Sequence, residues 1–529
     1  MADPHSFTRE LIAQLKTVPL HITAAELPAY SYGNAPSPNN DDDDAAVAQF
    51  AGSSTPHTFR LGTGASQFAS ALLPALLNAK HEILFVTCFW AQSKSLSDLS
   101  TALTRLAAAR SSYPQNRLRQ PMRIRICFSS RSLFQKLLHT SSRDGYVYPP
   151  STWESQLGLP SPDIFKAAGI DLSVKSLFFL PFSVMHPKYM IVDRKRAFLP
   201  SCNVSWEPWL EDCVEVTGEA VTPLLSFYSG TWQDDLPGWE RGEAEAPVRE
   251  DGEDGEDGET SQPTVSSPFE ISPLDVDGRG SIVVRFPSST APIPTVILPS
   301  SHHRNPLFRP LPWQDYAPPP PTPLNLAMLH LFASASRHIY IHSPNLTTEA
   351  VVVAILTAVG RGVDVDICTG ERMMVYEQIL TAGTTTARCV RSLIKRYDAL
   401  VQKQEQNGNG IGRLHIAYYK PLSSTKQNSD EEQAMLSGVS QPASKPFVAN
   451  RSGFVVDTEQ PVHSHIKLTI VDGEHTVLGS GNMDRASFFT SQELGILFHS
   501  TTFAQAVQTA VDRVLDGRLK QVYPPPFLE

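Results

Sequence analysis

The chain has 529 residues, 41% of them hydrophobic and 19% charged, enough apolar length for large buried cores and roughly two to four domains. Its formal net charge is −10, but the block from Glu243 to Glu259 sets nine carboxylates against Arg249 alone and so holds −8 of that total. What remains is nearly neutral, so overall charge excludes no substrate class, and the block itself reads as a solvated loop that cannot bury enough apolar area to offset its ordering.

Taken in order, Phe7 to Leu15 suits a short amphipathic helix and Asn34 to Asp44 a loop. Periodicity predicts a helix over Phe68–Asn78, a buried strand over Glu82–Phe89, a helix over Leu96–Ala109 and strands over Met122–Phe128 and Ile170–Phe179. The order then recurs: helix Leu324–Ala335, strand Arg337–His342, helix Glu349–Arg361, and strands Val363–Cys368 and Leu414–Tyr419. Between the two series lie the acidic block, a strand-like Ile282–Phe286 and a Pro-rich run from Pro310 to Pro323, which reads as a stiff connector. Polar stretches from Gln402 to Gly412 and from Ser423 to Pro446 read as insertions, and Thr502 to Leu519 as a helix with Phe503, Val507, Val511 and Val514 on one face.

The six cysteines (Cys88, Cys127, Cys202, Cys213, Cys368, Cys389) contain no CxxC pair, so neither a zinc site nor a disulfide framework is indicated. Met1-Ala2-Asp3-Pro4-His5 offers no basic or apolar leader, and no apolar run is long enough for a membrane span. The expectation is an intracellular chain, cytoplasmic or peripheral to a membrane.

Both series end in the same pattern. His186-Pro187-Lys188 is followed at five residues by Asp193 and, ten further on, by Asn203; His465-Ile466-Lys467 is followed by Asp472 and Asn482 at the same offsets. One such triplet is weak evidence, but the repetition, each time in an apolar run that ends in a turn, is specific. The pair resembles the two His-x-Lys-x4-Asp motifs of the phospholipase D superfamily. The second copy, with Gly479-Ser480-Gly481-Asn482, Ser487 and Glu493, is similar to cardiolipin synthase-like members. The first copy departs from that pattern: Pro200-Ser201-Cys202-Asn203-Val204-Ser205 replaces the Gly-Ser start, and no Glu stands at the matching distance, so Asp212 or Glu215 is the candidate orienting carboxylate there.

The resemblance implies an α/β fold of two tandem phospholipase D-like α-β-α sandwich lobes with pseudo-two-fold symmetry and one active site at their interface. The implied organisation is an extension over 1–60, a first lobe over 61–235, an acidic linker over 236–275, a second lobe over 276–519 and a tail over 520–529. It implies a phospholipid phosphodiesterase or phosphatidyltransferase, acting through a phosphohistidine and without metal or cofactor; the expected partner is the phospholipid substrate and the expected active state a monomer.

A phosphodiester needs a neutral nucleophile, a proton donor for the leaving oxygen and fixed positive charge on the phosphoryl oxygens. His186 and His465 supply the first two, with His186 expected as nucleophile; Lys188 and Lys467 supply the charge, and Asn203 and Asn482 hydrogen bonds. Ser205 and Ser487 read equally as phosphate contacts or turn residues. Asp193 and Asp472 complete the motifs but are expected to anchor strand ends, and Glu493 is expected to orient His465. His463, His302 and His303 read as solvated, Phe178 to Phe182 as strand core and turn, and Trp206 and Trp209 as candidates for lipid contact. A nuclease on the same scaffold is the alternative, disfavoured by the lack of a Lys/Arg tract with interleaved aromatics. An inert scaffold is the second, disfavoured because both motifs keep His, Lys and Asn.

Overall fold

The computed structural model describes residues 50–525 apart from 113–120, 132–144, 180–182, 235, 237–266, 275–279, 301–317, 408–409, 423–447, 450–454 and 457–459. The acidic block, the Phe7–Leu15 helix, His302, His303 and the 423–446 insertion lie outside the described residues.

The strands form two arrays of similar construction within one connected sheet. In the first, β2 (Glu82–Phe89) pairs in parallel with β3 (Met122–Ser130), and β3 with β4 (Ile170–Ser176). On its other side β2 runs antiparallel to β5 (Tyr189–Val192), followed by β6 (Arg196–Pro200) and β7 (Trp209–Thr217), and β7 pairs with β1 (Ala51–Thr63). In the second, β10 (His338–Ser343) pairs in parallel with β11 (Asp364–Thr369), and β11 with β12 (Leu414–Tyr419). On the other side follow β14 (Leu468–Val471), β15 (His475–Gly479), β16 (Glu493–His499) and β9 (Ile293–Ser300). The parallel pairs need crossovers, which α1 (Lys94–Ser111) provides from β2 to β3, α4 (Glu349–Gly360) from β10 to β11 and α6 (Thr386–Asn407) from β11 to β12. This is the α/β fold expected from the doubled order of elements.

The two arrays are joined by β1. Its residues 51–54 pair with β9 of the second array, while Thr58 to Leu61 pair with β8 (Ile282–Arg285) and the strand pairs along β7. The seams therefore fall elsewhere than the sequence suggested. Residues 51–60 are core strand rather than extension, Ile282–Arg285 adds to the first array, and β17 (Leu519–Tyr523) extends the second array antiparallel to β12. The C-terminal helix, α8 (Thr501–Leu515), stops short of Leu519 because Gly517 turns at φ 71°.

Each array carries its own outer helices. Beneath the first lie helical residues 64–78 and α1, and beneath the second α3 (Pro323–Ser334), α4 and α6. Between the arrays one shared core forms from α2 (Val221–Trp232) and α8, where Phe503, Val507, Val511 and Val514 are buried against strands of both halves. Burying a side chain of this size is worth about 1.5–3 kcal/mol. In α6 the helix runs on through Gln402, where composition alone had suggested an insertion. Val390, Leu393 and Tyr397 keep one buried face, and Gln404 Nε2 donates to the Gly360 carbonyl at 3.0 Å, so the polar residues are simply its wet side. Among the described residues no helix is long and apolar enough to cross a membrane.

Candidate functional site

Each motif is a short extended segment feeding a four-residue strand, His186 to β5 and His465 to β14. The Asp that closes each motif sits at the far end, where the chain turns with φ of 51° at Asp193 and 55° at Asp472. Asp193 accepts the backbone N–H groups of Lys80, His81 and Glu82 at 2.9, 2.7 and 2.9 Å. Asp472 accepts those of Ser336, Arg337 and His338 at 2.9, 2.8 and 2.9 Å. At about 3.3 Å per residue, five residues place these carboxylates some 16 Å from the lysines, so they tie the motif strand to its neighbour and do not reach the site.

The other end of each segment is held by the opposite lobe. The His186 N–H donates to the Gln492 carbonyl at 3.0 Å, and the Gln492 N–H to the Val184 carbonyl at 2.8 Å, just before β16 begins with Glu493. Likewise β13 (His463–Ser464) pairs in parallel with Trp209 and Leu210 at the start of β7, and the His465 N–H donates to the Leu210 carbonyl at 2.8 Å, one residue before Glu211. The register delivers a carboxylate across the interface to each ring. His186 Nδ1 lies 2.9 Å from Glu493 Oε2, and His465 Nδ1 lies 3.0 Å from both oxygens of Glu211.

This corrects the sequence expectation at two points. Glu493 serves His186, not its own lobe's His465, because β16 enters the site from the opposite side of the interface. The first lobe's carboxylate is Glu211, rather than Asp212 or Glu215. Ser201 Oγ donates to Glu211 Oε2 at 2.5 Å as Ser480 Oγ donates to Glu493, and the N–H of the next residue, Asp212 or Leu494, returns to the serine oxygen. Glu211 follows Asn203 by eight residues whereas Glu493 follows Asn482 by eleven, since α7 (Arg485–Phe489) occupies the longer loop. A search anchored on the two serines, rather than on a fixed offset, would have found it. Asp212 touches neither ring; its Oδ2 is buried without a partner. Glu215, two pleats further on, binds Arg196 and Thr58.

The lysines are buried and turn back on their own histidines, Lys188 Nζ donating to the His186 carbonyl at 2.9 Å and Lys467 Nζ to that of His465 at 2.6 Å. Asn203 Oδ1 accepts the Phe89 N–H at 3.2 Å, leaving its amide nitrogen for a ligand. Asn482 differs: its Nδ2 donates to Asp484 at 3.1 Å, and its Oδ1 is buried without a partner. Ser487 Oγ donates to Glu493 Oε1 at 2.8 Å and accepts the Asn482 N–H, so it braces the carboxylate; Ser205 is half-buried beside Asn203. Trp209 is buried with its ring centroid 5.0 Å from that of His465, while Trp206 meets Phe89 edge-on. Sequence reading also passed over His342, buried beside the second motif with Nε2 2.7 Å from Ser464 Oγ.

The electrostatics of the two dyads differ. Burial lowers the His186 pKa, with Lys188 and Lys467 adding to the shift and Glu493 opposing it. Burial pulls Glu493 upward, but His186, Ser480 and Lys188 together hold it below the usual carboxylate range. That pair is neutral imidazole and ionised carboxylate. His465 is lowered well below its ordinary value by burial, then by Lys467, Lys188 and His186. Burial pushes Glu211 up to about 7 against the pull of Lys467, and burial lowers Lys467 to about 7. The second dyad therefore keeps a proton near neutral pH where the first does not.

Residues 328–515, which include His465, Lys467, Asn482 and Glu493, match the family model described as Cardiolipin synthase, PLD-like domain. Among curated proteins none matches the chain. Similar solved structures include phosphatidylserine synthase of Haemophilus influenzae Rd KW20, at 12% identity and TM-score 0.49 over 90% of this chain and 91% of that one. Polyphosphate kinase from Porphyromonas gingivalis is similar at 8% identity and TM-score 0.41, over 86% of this chain and 47% of that one. The phospholipase D family member Nuc from Salmonella typhimurium shares 15% identity, with TM-score 0.23, over 38% of this chain and 91% of that one. The matched segment carries the second His-Lys motif, so residues 328–515 of this α/β chain are similar to the phospholipase D-like domain of cardiolipin synthase.

Proposed function

We propose that the protein cleaves a phospholipid phosphodiester and passes the phosphatidyl group to water or an alcohol through a phosphohistidine, with no metal taking part. The observation that carries this reading is the pair of crossed dyads, His186–Glu493 and His465–Glu211. Each carboxylate holds Nδ1 and leaves Nε2 for the reacting group, and the charges of Lys188 and Lys467 act on both rings.

In the first step His186 Nε2 attacks phosphorus and its Nδ1–H stays on Glu493, whose charge stabilises the imidazolium that forms. The leaving alkoxide takes the proton held by the His465–Glu211 pair. That leaves a phosphorus–nitrogen bond on His186 and a released alcohol. In the second step His465, now without that proton, takes one from water or an acceptor alcohol, whose oxygen attacks phosphorus and frees His186. Lys188, Lys467 and the Asn203 amide stabilise the charge on the phosphoryl oxygens throughout.

Support for a phospholipid substrate comes from the family description over 328–515 and from apolar Trp206 and Trp209 beside the site. A nuclease is the weaker fit to that description. Purified protein would be incubated with a phospholipid panel in mixed micelles, a labelled oligonucleotide, and a short alcohol, with and without EDTA. The expected result is free head group, a phosphatidyl alcohol when the alcohol is present, and rates on a soluble phosphodiester that EDTA leaves unchanged. Cleavage of the oligonucleotide alone would overturn the lipid reading; loss on chelation, restored by one ion, would overturn the metal-free one.

A further inference from the structure

Helix α5 (Val375–Ala382) is built inside out. Its one buried side chain is the polar Gln378, while Tyr376, Ile379 and Leu380 are 70, 50 and 58% exposed. Spacings of three and four residues put these three on one face of the helix. A soluble domain ordinarily turns such a face inward, and a contiguous exposed apolar patch marks a surface that something covers.

The polar face explains why the helix stays in this orientation. Gln378 Nε2 donates to Asn345 Oδ1 at 2.8 Å and to the Met373 carbonyl at 2.6 Å, while Gln378 Oε1 accepts the Thr386 N–H at 2.6 Å. Asn345 in turn donates to Asp484 at 3.4 Å, the carboxylate that also receives Asn482. Immediately before the helix, Met373 is buried with Trp209 and Val462 and Met374 packs on them, and the Trp209 ring lies against His465. The helix thus begins directly after Met373 and Met374, which lie one side chain, Trp209, from the His465 imidazole. The next helix, α6, opens with Arg388, Arg391 and Lys395, exposed at three- and four-residue spacing, and Arg372 is exposed on the other flank.

We propose that α5 docks the protein on an anionic phospholipid surface, with Tyr376, Ile379 and Leu380 among the acyl chains and the basic side chains at the head-group level. An aromatic and aliphatic face beside a cationic stripe has the chemistry of such an interface. This rests on the reading that the substrate is a phospholipid, since the patch then presents the site mouth to the lipid plane.

The test uses the full chain, its Tyr376→Ser/Ile379→Ser/Leu380→Ser variant and a Leu380→Trp variant. Binding is read by co-sedimentation with phosphatidylcholine vesicles with and without phosphatidylglycerol. Turnover is read on a soluble phosphodiester, bis(p-nitrophenyl) phosphate, and on the vesicles themselves. The triple variant is expected to lose vesicle partitioning by roughly tenfold or more, since three apolar side chains leave the lipid. Its rate on the soluble phosphodiester is expected to match the parent. Leu380→Trp is expected to keep or strengthen binding, and phosphatidylglycerol to raise it for the parent.

Unchanged partitioning of the triple variant would overturn the proposal. So would a parent chain that is dimeric by sedimentation equilibrium and becomes monomeric on the triple substitution, which would assign the face to a second copy. If the parent binds vesicles through α5 but releases no head group from any phospholipid, docking stands and the substrate reading fails.

Discussion

Glu493 lies 2.9 Å from His186, a residue 307 positions earlier in the chain and in the opposite half of the molecule. Its counterpart, Glu211 on His465, spans 254 positions in the other direction. Neither half therefore contains a complete dyad, and both dyads depend on the register of two short cross-lobe backbone pairings.

The two glutamates are expected to matter about equally, although only one stood out as a motif residue. Glu211→Gln and Glu493→Gln keep the shape and the serine contact but remove the charge that fixes the imidazole tautomer. Each should lower kcat on a soluble phosphodiester by roughly 10²- to 10⁴-fold with little change in melting temperature. Activity of Glu211→Gln within about twofold of the parent would show that the carboxylate does not act through His465.

His186→Ala and His465→Ala should each abolish turnover, and Lys188→Ala or Lys467→Ala should raise the barrier by about 3–5 kcal/mol. In the proposed mechanism the roles differ: burial keeps the His186 imidazole neutral for attack, while Glu211, raised to about 7, holds the proton to be transferred. Rapid quenching with a slow substrate and mass spectrometry of the peptides should place the phosphoryl group on His186. Its recovery on His465 would reverse the assignment.

The pH dependence follows from the same contrast. Burial raises Glu211 to about 7 and lowers Lys467 to about 7, so as pH rises through that range the second dyad loses its proton and the site loses a positive charge. His186 is depressed by burial, so it stays neutral below the ordinary histidine range. Activity per folded molecule should fall on the alkaline side of neutrality and hold on descending from pH 7 to 6. A rate that climbs steadily above pH 7 would contradict the proton inventory.

Asp212 separates burial from catalysis. Burial, with Glu211 adding to it, raises its pKa to about 8, and its Oδ2 has no partner. Between an unfolded value of about 3.9 and that folded value, the native chain binds a proton that the unfolded chain has released, so this group costs stability as pH rises through the window. Asp212→Asn should retain activity and gain roughly 5 kcal/mol at pH 8 relative to its effect at pH 4, read by urea unfolding at both pH values. A drop in kcat comparable to that of Glu211→Gln would return Asp212 to the site.

Asp193→Ala and Asp472→Ala should act on folding. Each strips three backbone N–H groups of their acceptor. A loss of about 2–4 kcal/mol in unfolding free energy is expected, with kcat per folded molecule nearly unchanged. A stable variant with no activity would place these carboxylates in the chemistry instead.

The sequence by itself determined the class of fold, and its repeated spacing singled out the histidines, lysines and asparagines of the candidate site. Those signals are local: strand and helix periods are set by neighbouring residues, and the two triplets share their spacing because each spans one short strand from site to anchor. It also suggested that Asp193 and Asp472 are anchors, since five residues of strand carry them away from the lysines.

Only the tertiary structure decided which carboxylate serves which histidine. The partnership is made by β7 and β16 crossing the interface, and no offset counted along the chain encodes a contact between residues 186 and 493 or 465 and 211. The same holds for the seams. Strand β1 belongs to both arrays, and α2 and α8 fill one core between them, because apolar faces from distant segments were buried against each other and not against their sequence neighbours.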